Sequence, residues 1–484
     1  MTSKAKDNLH ILFFPFMAGG HIIPTLDLAK AFATHGVTTT ILTTPSYSPL
    51  IQRTINHYSG QLPIHLSLIS FPTTISGLPS GCDSVTSLNS QHERIIFLCS
   101  LSSLCQPFKR ALTELRPDCI ITDMFFPWTS AVARELQIPR LVFQSESFFS
   151  LCMTDSLLRY KPHLTISDDV DESFILPGLP HPIKMSKSQI LDPTKITPEF
   201  SELFSLMGES AAESYGVVVN SFLELEPEYA KHYREFIGRR AWHVGPVSLC
   251  SQRVGDDDDA SKDHYTECLK WLDSKKPGSV VYVCFGSMFS MPSEQLTELA
   301  IGLEACEHPF IWVVIRMKGG DHEEKKVRVL EGGKGVVING WAPQLVILNH
   351  PAVGAFITHC GWNSTMESIC AGVPMITWPL FGDQFYNERF IVDVLKVGVE
   401  VGVKKFVVDE EEMELVKGED VKKAVERMMG DGDEKESMRR RLRELGEMAR
   451  RAVEEGGSSY VDLKNLIKEL CEVCSEHDMN LSKQ

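Results

Sequence analysis

No stretch of this chain stays apolar for the roughly 20 residues that a membrane-crossing helix needs, so nothing in it is expected to span a bilayer. Positive charge is scarce as well: 48 Lys and Arg stand against 64 Asp and Glu, a net charge of −16 over 484 residues. So acidic a chain repels polyphosphate, which excludes broad electrostatic binding to nucleic acid or to an anionic membrane. A phosphate ligand must instead be held locally, by backbone dipoles and a few placed side chains. A disulfide framework is missing too. The 13 cysteines are odd in number and scattered from Cys82 to Cys474, and Cys99, Cys284 and Cys370 lie inside apolar runs as small hydrophobes. The cytosol is the expected compartment. Cys471-Glu-Val-Cys474 has no second pair to complete a metal site and lies in a terminal amphipathic stretch. Neither half of the chain opens with GxGxxG or GxxxxGK[ST], which removes the usual dinucleotide and P-loop signatures.

What remains is an ordinary globular composition, 43% hydrophobic and 23% charged, in a chain long enough for two large domains or three of about 150 residues. Ile11 to Ala18 is short and broken by Pro15; it could pass as a poor signal-sequence core, but Gly19-Gly20-His21 and a helical pattern follow directly. It reads instead as the start of a strand–loop–helix rhythm. His10 to Phe16 is an apolar run ending at Ala18-Gly19-Gly20. Ile22 to His35 has helical spacing, with Pro24 expected in its first turn. Thr38 to Thr44 is a β-branched run. Asp118 to Thr122, Arg140 to Phe143 and Val217 to Val219 are expected to extend the same sheet.

A polar stretch with four successive carboxylates, Asp256 to Asp259, then interrupts the rhythm and reads as a solvated linker. The rhythm restarts with strands at Ser279 to Phe285, Phe310 to Ile315, Gly335 to Ile338, Val353 to Ile357 and Pro374 to Thr377, and a helix at Pro292 to Cys306. Glu419 to Leu470 is charged and helical. Alternation of this kind predicts parallel sheets flanked by helices. The expected organisation is a Rossmann-like domain over 1–248, an acidic linker over 249–265, and a second Rossmann-like domain with C-terminal helices over 266–484.

Candidate chemistry clusters in the second half, beyond apolar runs whose C-terminal ends line the ligand crevice of a parallel sheet. Phe285-Gly286-Ser287 follows one strand. His359-Cys360-Gly361-Trp362-Asn363-Ser364-Thr365 follows another and leads into a helix, whose first N–H groups suit an anion. Ser364-Thr365-Met366-Glu367 also fits a capping box. Trp341-Ala342-Pro343-Gln344 lies upstream, and Phe381-Gly382-Asp383-Gln384 downstream. An aromatic plate, a helix start and an Asp-Gln pair suit a base, a phosphate and a polyhydroxylated group.

Trp341 to Gln384 resembles the plant secondary-product glycosyltransferase box of the family 1 UDP-sugar-dependent glycosyltransferases. WAPQ, HCGWNSTMES, AGVP, WP and DQ stand at the family spacing, and the likeness extends from the N-terminal FPFMAGGH onward. The resemblance implies the α/β GT-B fold, two Rossmann-like domains with parallel sheets facing across a cleft. The first would bind the acceptor and the second the UDP-sugar. It implies that Trp341 stacks on uracil, that Ala342 bonds it through the backbone, and that Glu367 binds ribose. Ser287, His359, Asn363 and Ser364 would hold the diphosphate. Trp362, Asp383 and Gln384 would contact the sugar, and Gln344 completes the donor-binding set. The family's catalytic His matches His21, and its partner Asp matches Asp123. Gly19 stands where many relatives carry Gln.

The implied activity is inverting, metal-independent transfer of a sugar to an apolar plant small molecule of flavonoid or triterpenoid type. UDP-glucose is the expected co-substrate and no cofactor is called for. Galactose or xylose donors and an already glycosylated acceptor are the alternatives. On physical grounds, a base for a hydroxyl must be neutral near pH 7. A helix start disfavours imidazolium by ~0.3–1 kcal/mol, and a close carboxylate opposes that and stabilises the imidazolium formed in reaction. Taken without the family, His21 and Asp123 read equally as loop and helix-cap residues. Phe125, Phe126, Trp128, Phe148, Phe149 and Met153 are candidates for an apolar acceptor pocket. The rivals fit less well. An oxidoreductase needs a glycine-rich fingerprint, a glycosidase usually needs paired carboxylates, and a non-catalytic binder gives no reason for His21 and Asp123.

Overall fold

The computed structural model describes residues 9–58, 60–88, 90–167, 172–191, 196–250, 259–289, 291–314, 327–407 and 413–481. Two compact units emerge. One comprises Met1–Ser147, Ile196–Val254 and Arg451–Gln484; the other comprises Phe148–Lys195 and Gly255–Arg450. Each is built on a seven-stranded sheet with helices between most successive strands, as expected of alternating apolar runs and amphipathic segments.

In the first unit the strands run, edge to edge, Ile64–Leu68, Thr38–Thr43, His10–Phe14, Cys119–Asp123, Arg140–Gln144, Gly216–Val219 and Ala241–His243, all parallel. The chain starts in the middle. His10–Phe14 pairs with Thr38–Thr43 on one side and Cys119–Asp123 on the other, so the strand order reverses there. In such sheets ligands bind beyond the strand C-termini at this switch point. The helix Gly19–Thr34 leaves the first of these strands three residues before the expected start, so Pro24 falls in its second turn rather than its first.

In the second unit the order is Val327–Val329, Gly335–Asn339, Phe310–Val314, Val280–Cys284, Val353–Thr358, Met375–Thr377 and Gly398–Glu400. Only the edge strand Val327–Val329 runs antiparallel. Val280–Cys284 lies between Phe310–Val314 and Val353–Thr358, with Cys284 level with Thr358. This is again a reversal point, and the Phe285 and His359 loops leave from it.

The units do not follow a single cut near residue 248. The last helix, Ser458–Leu481, places Leu463, Leu466 and Leu470 in the apolar cluster of the first sheet, with Ile11, Phe32 and Trp242. These three positions share one helical face. Asp462 beside them pairs with Arg234 at 3.1 Å. Conversely, the helix Phe148–Tyr160 belongs to the second unit, where the ring of Phe149 lies 4.8 Å from that of Phe390. The core of the expected acidic linker, residues 251–258, lies outside the described residues; from Asp259 the chain is already helical, to Asp273. All thirteen cysteines are free thiols, and Cys474 donates to the Asp118 carbonyl. Among the described residues no helix is long and apolar enough to cross a membrane.

Candidate active site

In the first unit, His21 and Asp123 converge at the switch point because each follows one of the two strands that meet there. His21 stands in the first turn of its helix, and its Nδ1 lies 2.7 Å from Asp123 Oδ2. Their side chains are 12% and 2% exposed. Asp123 ends its strand, and its other oxygen, Oδ1, accepts the Phe125 N–H at 3.1 Å. One carboxylate thus satisfies two N–H groups from two directions. With Nδ1 donating, the Nε2 lone pair of His21 is left to accept a proton.

The surroundings fix this pair. Phe16 meets the His21 ring edge-on at 5.2 Å, and Phe125 lies 5.6 Å away. The loop before His21 is held by Val85, whose N–H donates to the Met17 carbonyl at 3.1 Å. Below Asp123 a buried Arg140 donates to Thr122 Oγ1 at 2.9 Å and to the Ser210 carbonyl at 3.0 Å. Burial lowers this guanidinium to about 10. Thr129 and Ser210 hydroxyls bond the Phe126 and Pro127 carbonyls. Sequence reading missed Arg140, although a charged residue opening the buried run Arg-Leu-Val-Phe was the available signal.

In the second unit, the segments of the Trp341–Gln384 box follow the C-terminal ends of Gly335–Asn339, Val353–Thr358 and Met375–Thr377. Gly361 is the N-cap of the helix Trp362–Ala371, and no side chain caps it. Ser364 and Glu367 therefore lie inside the helix, and the expected capping box does not form. Both accept instead from Gln344 Nε2, at 3.0 and 2.9 Å. Gln344 Oε1 accepts from the hydroxyl of Tyr282 at 3.3 Å, a buried tyrosine that sequence reading also missed. Ala342 is buried, whereas Trp341 is 55% exposed.

His359 fills the space between Gly286 and Gly361. A Cβ on either glycine would come within 2.6 or 2.5 Å of its Nε2, and Gly286 also has φ +70°, so side chains are excluded at both positions. Burial pushes the His359 imidazole down to about 4, with the Cys284 backbone opposing, so the ring is neutral at pH 7. Ser287 and Asn363 are half-buried near the same strand ends. The indole of Trp362 is only 2% exposed and its ring lies 6.2 Å from that of Phe390, which makes it a core side chain. Gln384 Oε1 accepts the N–H groups of Leu380 and Phe381 at 2.9 and 3.1 Å, leaving the amide NH2 for a ligand. Asp383 is half-buried beside it.

Most of the aromatic candidates for an acceptor pocket are core. Phe126, Phe148, Phe149 and Met153 are fully buried, and Phe126 stacks on Phe14 at 4.2 Å. Phe125 and Trp128 are half-buried, and Phe125 lies beside His21.

A family model described as UDP-glucoronosyl and UDP-glucosyl transferase matches residues 106–443. The chain is 46% identical to UDP-glucose flavonoid 3-O-glucosyltransferase 7 of Fragaria ananassa, over 97% of this chain and 98% of that one. It is 44% identical to the scopoletin glucosyltransferase of Nicotiana tabacum, over 96% and 98%. Among solved structures, UGT73P12 of Glycyrrhiza uralensis complexed with glycyrrhetinic acid 3-O-monoglucuronide superposes with a TM-score of 0.90, at 42% identity over 98% of both chains. The UDP-glucose complex of Medicago truncatula UGT71G1 gives 0.79 at 25% identity, over 97% and 100%.

Proposed function

This chain belongs to the UDP-glucoronosyl and UDP-glucosyl transferase family and is a UDP-glycosyltransferase of GT-B fold, and we propose that it transfers glucose from UDP-glucose to a hydroxyl of an apolar plant small molecule, of flavonoid or triterpenoid type. The observation that carries this proposal is the 2.7 Å bond from His21 Nδ1 to Asp123 Oδ2. Nε2 takes the acceptor's proton as the acceptor oxygen bonds the anomeric carbon. The bond from that carbon to the diphosphate oxygen breaks, and UDP leaves with the electron pair. Asp123 stabilises the imidazolium so formed. A single displacement inverts configuration, so α-linked UDP-glucose yields a β-glucoside.

For the donor, the exposed Trp341 stacks on uracil, the Ala342 backbone bonds its edge, and Glu367, held by Gln344, receives the ribose hydroxyls. Ser287, Asn363, Ser364 and a neutral His359 bind the diphosphate as hydrogen-bond donors, at the start of the Trp362 helix. These groups take up the charge of the leaving UDP, so neither a metal nor a cofactor is required. The Trp362 N–H, the Asp383 carboxylate and the Gln384 NH2 address the sugar.

Names of relatives support the donor and acceptor class: one acts on flavonoids with UDP-glucose and another on scopoletin. A second reading, transfer to an aglycone that already bears a sugar, is favoured by the Glycyrrhiza structure, whose bound ligand is a triterpenoid glucuronide. The test offers flavonoids, coumarins, triterpenoids and their monoglycosides with UDP-glucose, with and without EDTA, and identifies products by mass and anomeric coupling. His21→Ala should lower turnover on an alcohol acceptor by roughly 10²–10⁴ and still bind UDP. An α-linked product, or activity that EDTA abolishes and Mn²⁺ restores, would overturn the mechanism.

A further inference from the structure

The sugar-facing residues and the helix that cradles the diphosphate are tied together by a side chain that belongs to neither. Asn387 is fully buried, one turn along from Asp383 in the helix Gln384–Arg389. Its Nδ2 donates to the Cys360 carbonyl and to Asp383 Oδ2, both at 2.8 Å, and its Oδ1 accepts from Ser150 Oγ at 2.9 Å. The amide has one workable orientation. Turned over, its oxygen would face a carbonyl and a carboxylate, neither of which can donate.

Both tethered groups need holding. Cys360 has φ +64°, a left-handed conformation that a residue with a Cβ keeps only when its surroundings enforce it. Its peptide leads directly into Gly361, the N-cap of the Trp362 helix, so the direction of the Cys360 carbonyl sets where the first helical N–H groups point. Asp383 in turn offers two carboxylate oxygens, and Asn387 occupies Oδ2. That bond fixes the direction of the whole carboxylate.

We propose that Asn387 is a positioning residue for donor-sugar recognition, locking the Asp383 carboxylate and the Cys360–Gly361 turn into one fixed relation. This rests on the reading that Asp383 contacts the sugar. Asn387, being fully buried, acts through these neighbours. Its loss should loosen the sugar half of the donor site and leave the uridine half, built on Trp341, Gln344 and Glu367, untouched.

The experiment compares Asn387→Ala, Asp383→Ala and the double variant. It measures UDP affinity by calorimetry, and kcat/KM for UDP-glucose and UDP-galactose with one aglycone. Asn387→Ala should raise KM for UDP-glucose about tenfold and shrink the preference between the two sugars several-fold, with a clearly smaller loss of UDP affinity, which feels the helix start alone. The double variant should lose less than the two single losses combined, because residues acting through one another do not add. A parallel loss of UDP and UDP-glucose affinity, or fully additive effects, would reduce Asn387 to a packing role and overturn the proposal. An unchanged preference in Asn387→Ala, with a changed one in Asp383→Ala, overturns the proposal alone. An unchanged preference in Asp383→Ala removes the sugar contact and the proposal together. If Asn387→Ala is recovered unfolded, Asn387→Asp keeps the volume with at most one donor, and the same measurements apply to it.

Discussion

Replacing Asp123 by Asn tests the dyad more sharply than removing His21, because it changes almost no volume. The Asp123 carboxylate accepts from His21 Nδ1 at 2.7 Å and from the Phe125 N–H at 3.1 Å. An amide has one oxygen, so it can serve only one of these donors. If its oxygen stays with His21, its NH2 faces the Phe125 N–H, and a buried donor without a partner costs about 1–3 kcal/mol. If its oxygen stays with Phe125, its NH2 faces His21 Nδ1. The imidazole then escapes the clash by moving its proton to Nε2. That second arrangement satisfies every group and removes the base, since Nε2 no longer has a lone pair for the acceptor's proton. Turnover on an aliphatic alcohol acceptor should therefore fall by roughly 10²–10⁴, equivalent to about 2.7–5.5 kcal/mol at the transition state. UDP affinity and the melting temperature should stay near the parent values. A strongly acidic phenol, which sheds its proton unaided, should lose far less. Initial rates on the two acceptors, with calorimetry for UDP, decide the matter. Asp123→Asn within tenfold of the parent on the alcohol would show that the carboxylate does not set the His21 tautomer.

Tyr282→Phe deletes the hydroxyl that orients Gln344 and, through it, Glu367; a net loss of about 1 kcal/mol should raise KM for UDP-glucose roughly fivefold with kcat unchanged, and a kcat effect instead would place Tyr282 elsewhere in the reaction. His359, lowered from 6.5 to about 4, should contribute stability that is complete above pH 6.5 and is lost as pH falls through 4, because between those values the unfolded chain binds the proton and the fold does not. The amount is on the order of 3 kcal/mol, and denaturant titrations of the parent and His359→Gln from pH 4 to 7 should diverge across that window; parallel curves would refute it. Because no Arg stands at 362 or 384 to pair with a carboxylate, kcat/KM should favour UDP-glucose over UDP-glucuronic acid by tenfold or more, and faster glucuronate transfer would overturn the pocket assignment.

Contiguous patterns were legible in the sequence, and contacts between distant segments were not. The apolar runs gave the central strands of both sheets to within a residue or two, because a strand buried on both faces must be apolar throughout. All four edge strands escaped notice for the converse reason, Val327–Val329 and Gly398–Glu400 among them. Ile64–Leu68 is half exposed and carries His65 and Ser67, and Ala241–His243 has three residues. The Ser364–Glu367 spacing fitted a capping box, yet the helix begins earlier, at Gly361, and frees both side chains to meet Gln344. Spacing identifies residues that share a helical face but cannot say which of them comes first.

The same distinction separates the site residues that could be named from those that could not. His21 and Asp123 lie 102 positions apart, but each sits just beyond an apolar run, and strand ends at a switch point converge whatever their separation. Topology brings them together, and the family resemblance was what singled them out from ordinary loop and cap residues. Arg140, Tyr282 and Asn387 carry no such mark. Arg140 and Tyr282 are polar groups inside apolar strands and Asn387 is a buried amide in a largely polar helix, and the role of each lies wholly in what its atoms reach: a threonine hydroxyl, a glutamine amide, a carbonyl in the left-handed region. Buried polar groups are retained where they have partners. An unexplained polar residue within a buried run is therefore the sequence's only sign that a neighbouring loop is being held in place, and only the folded chain says which loop.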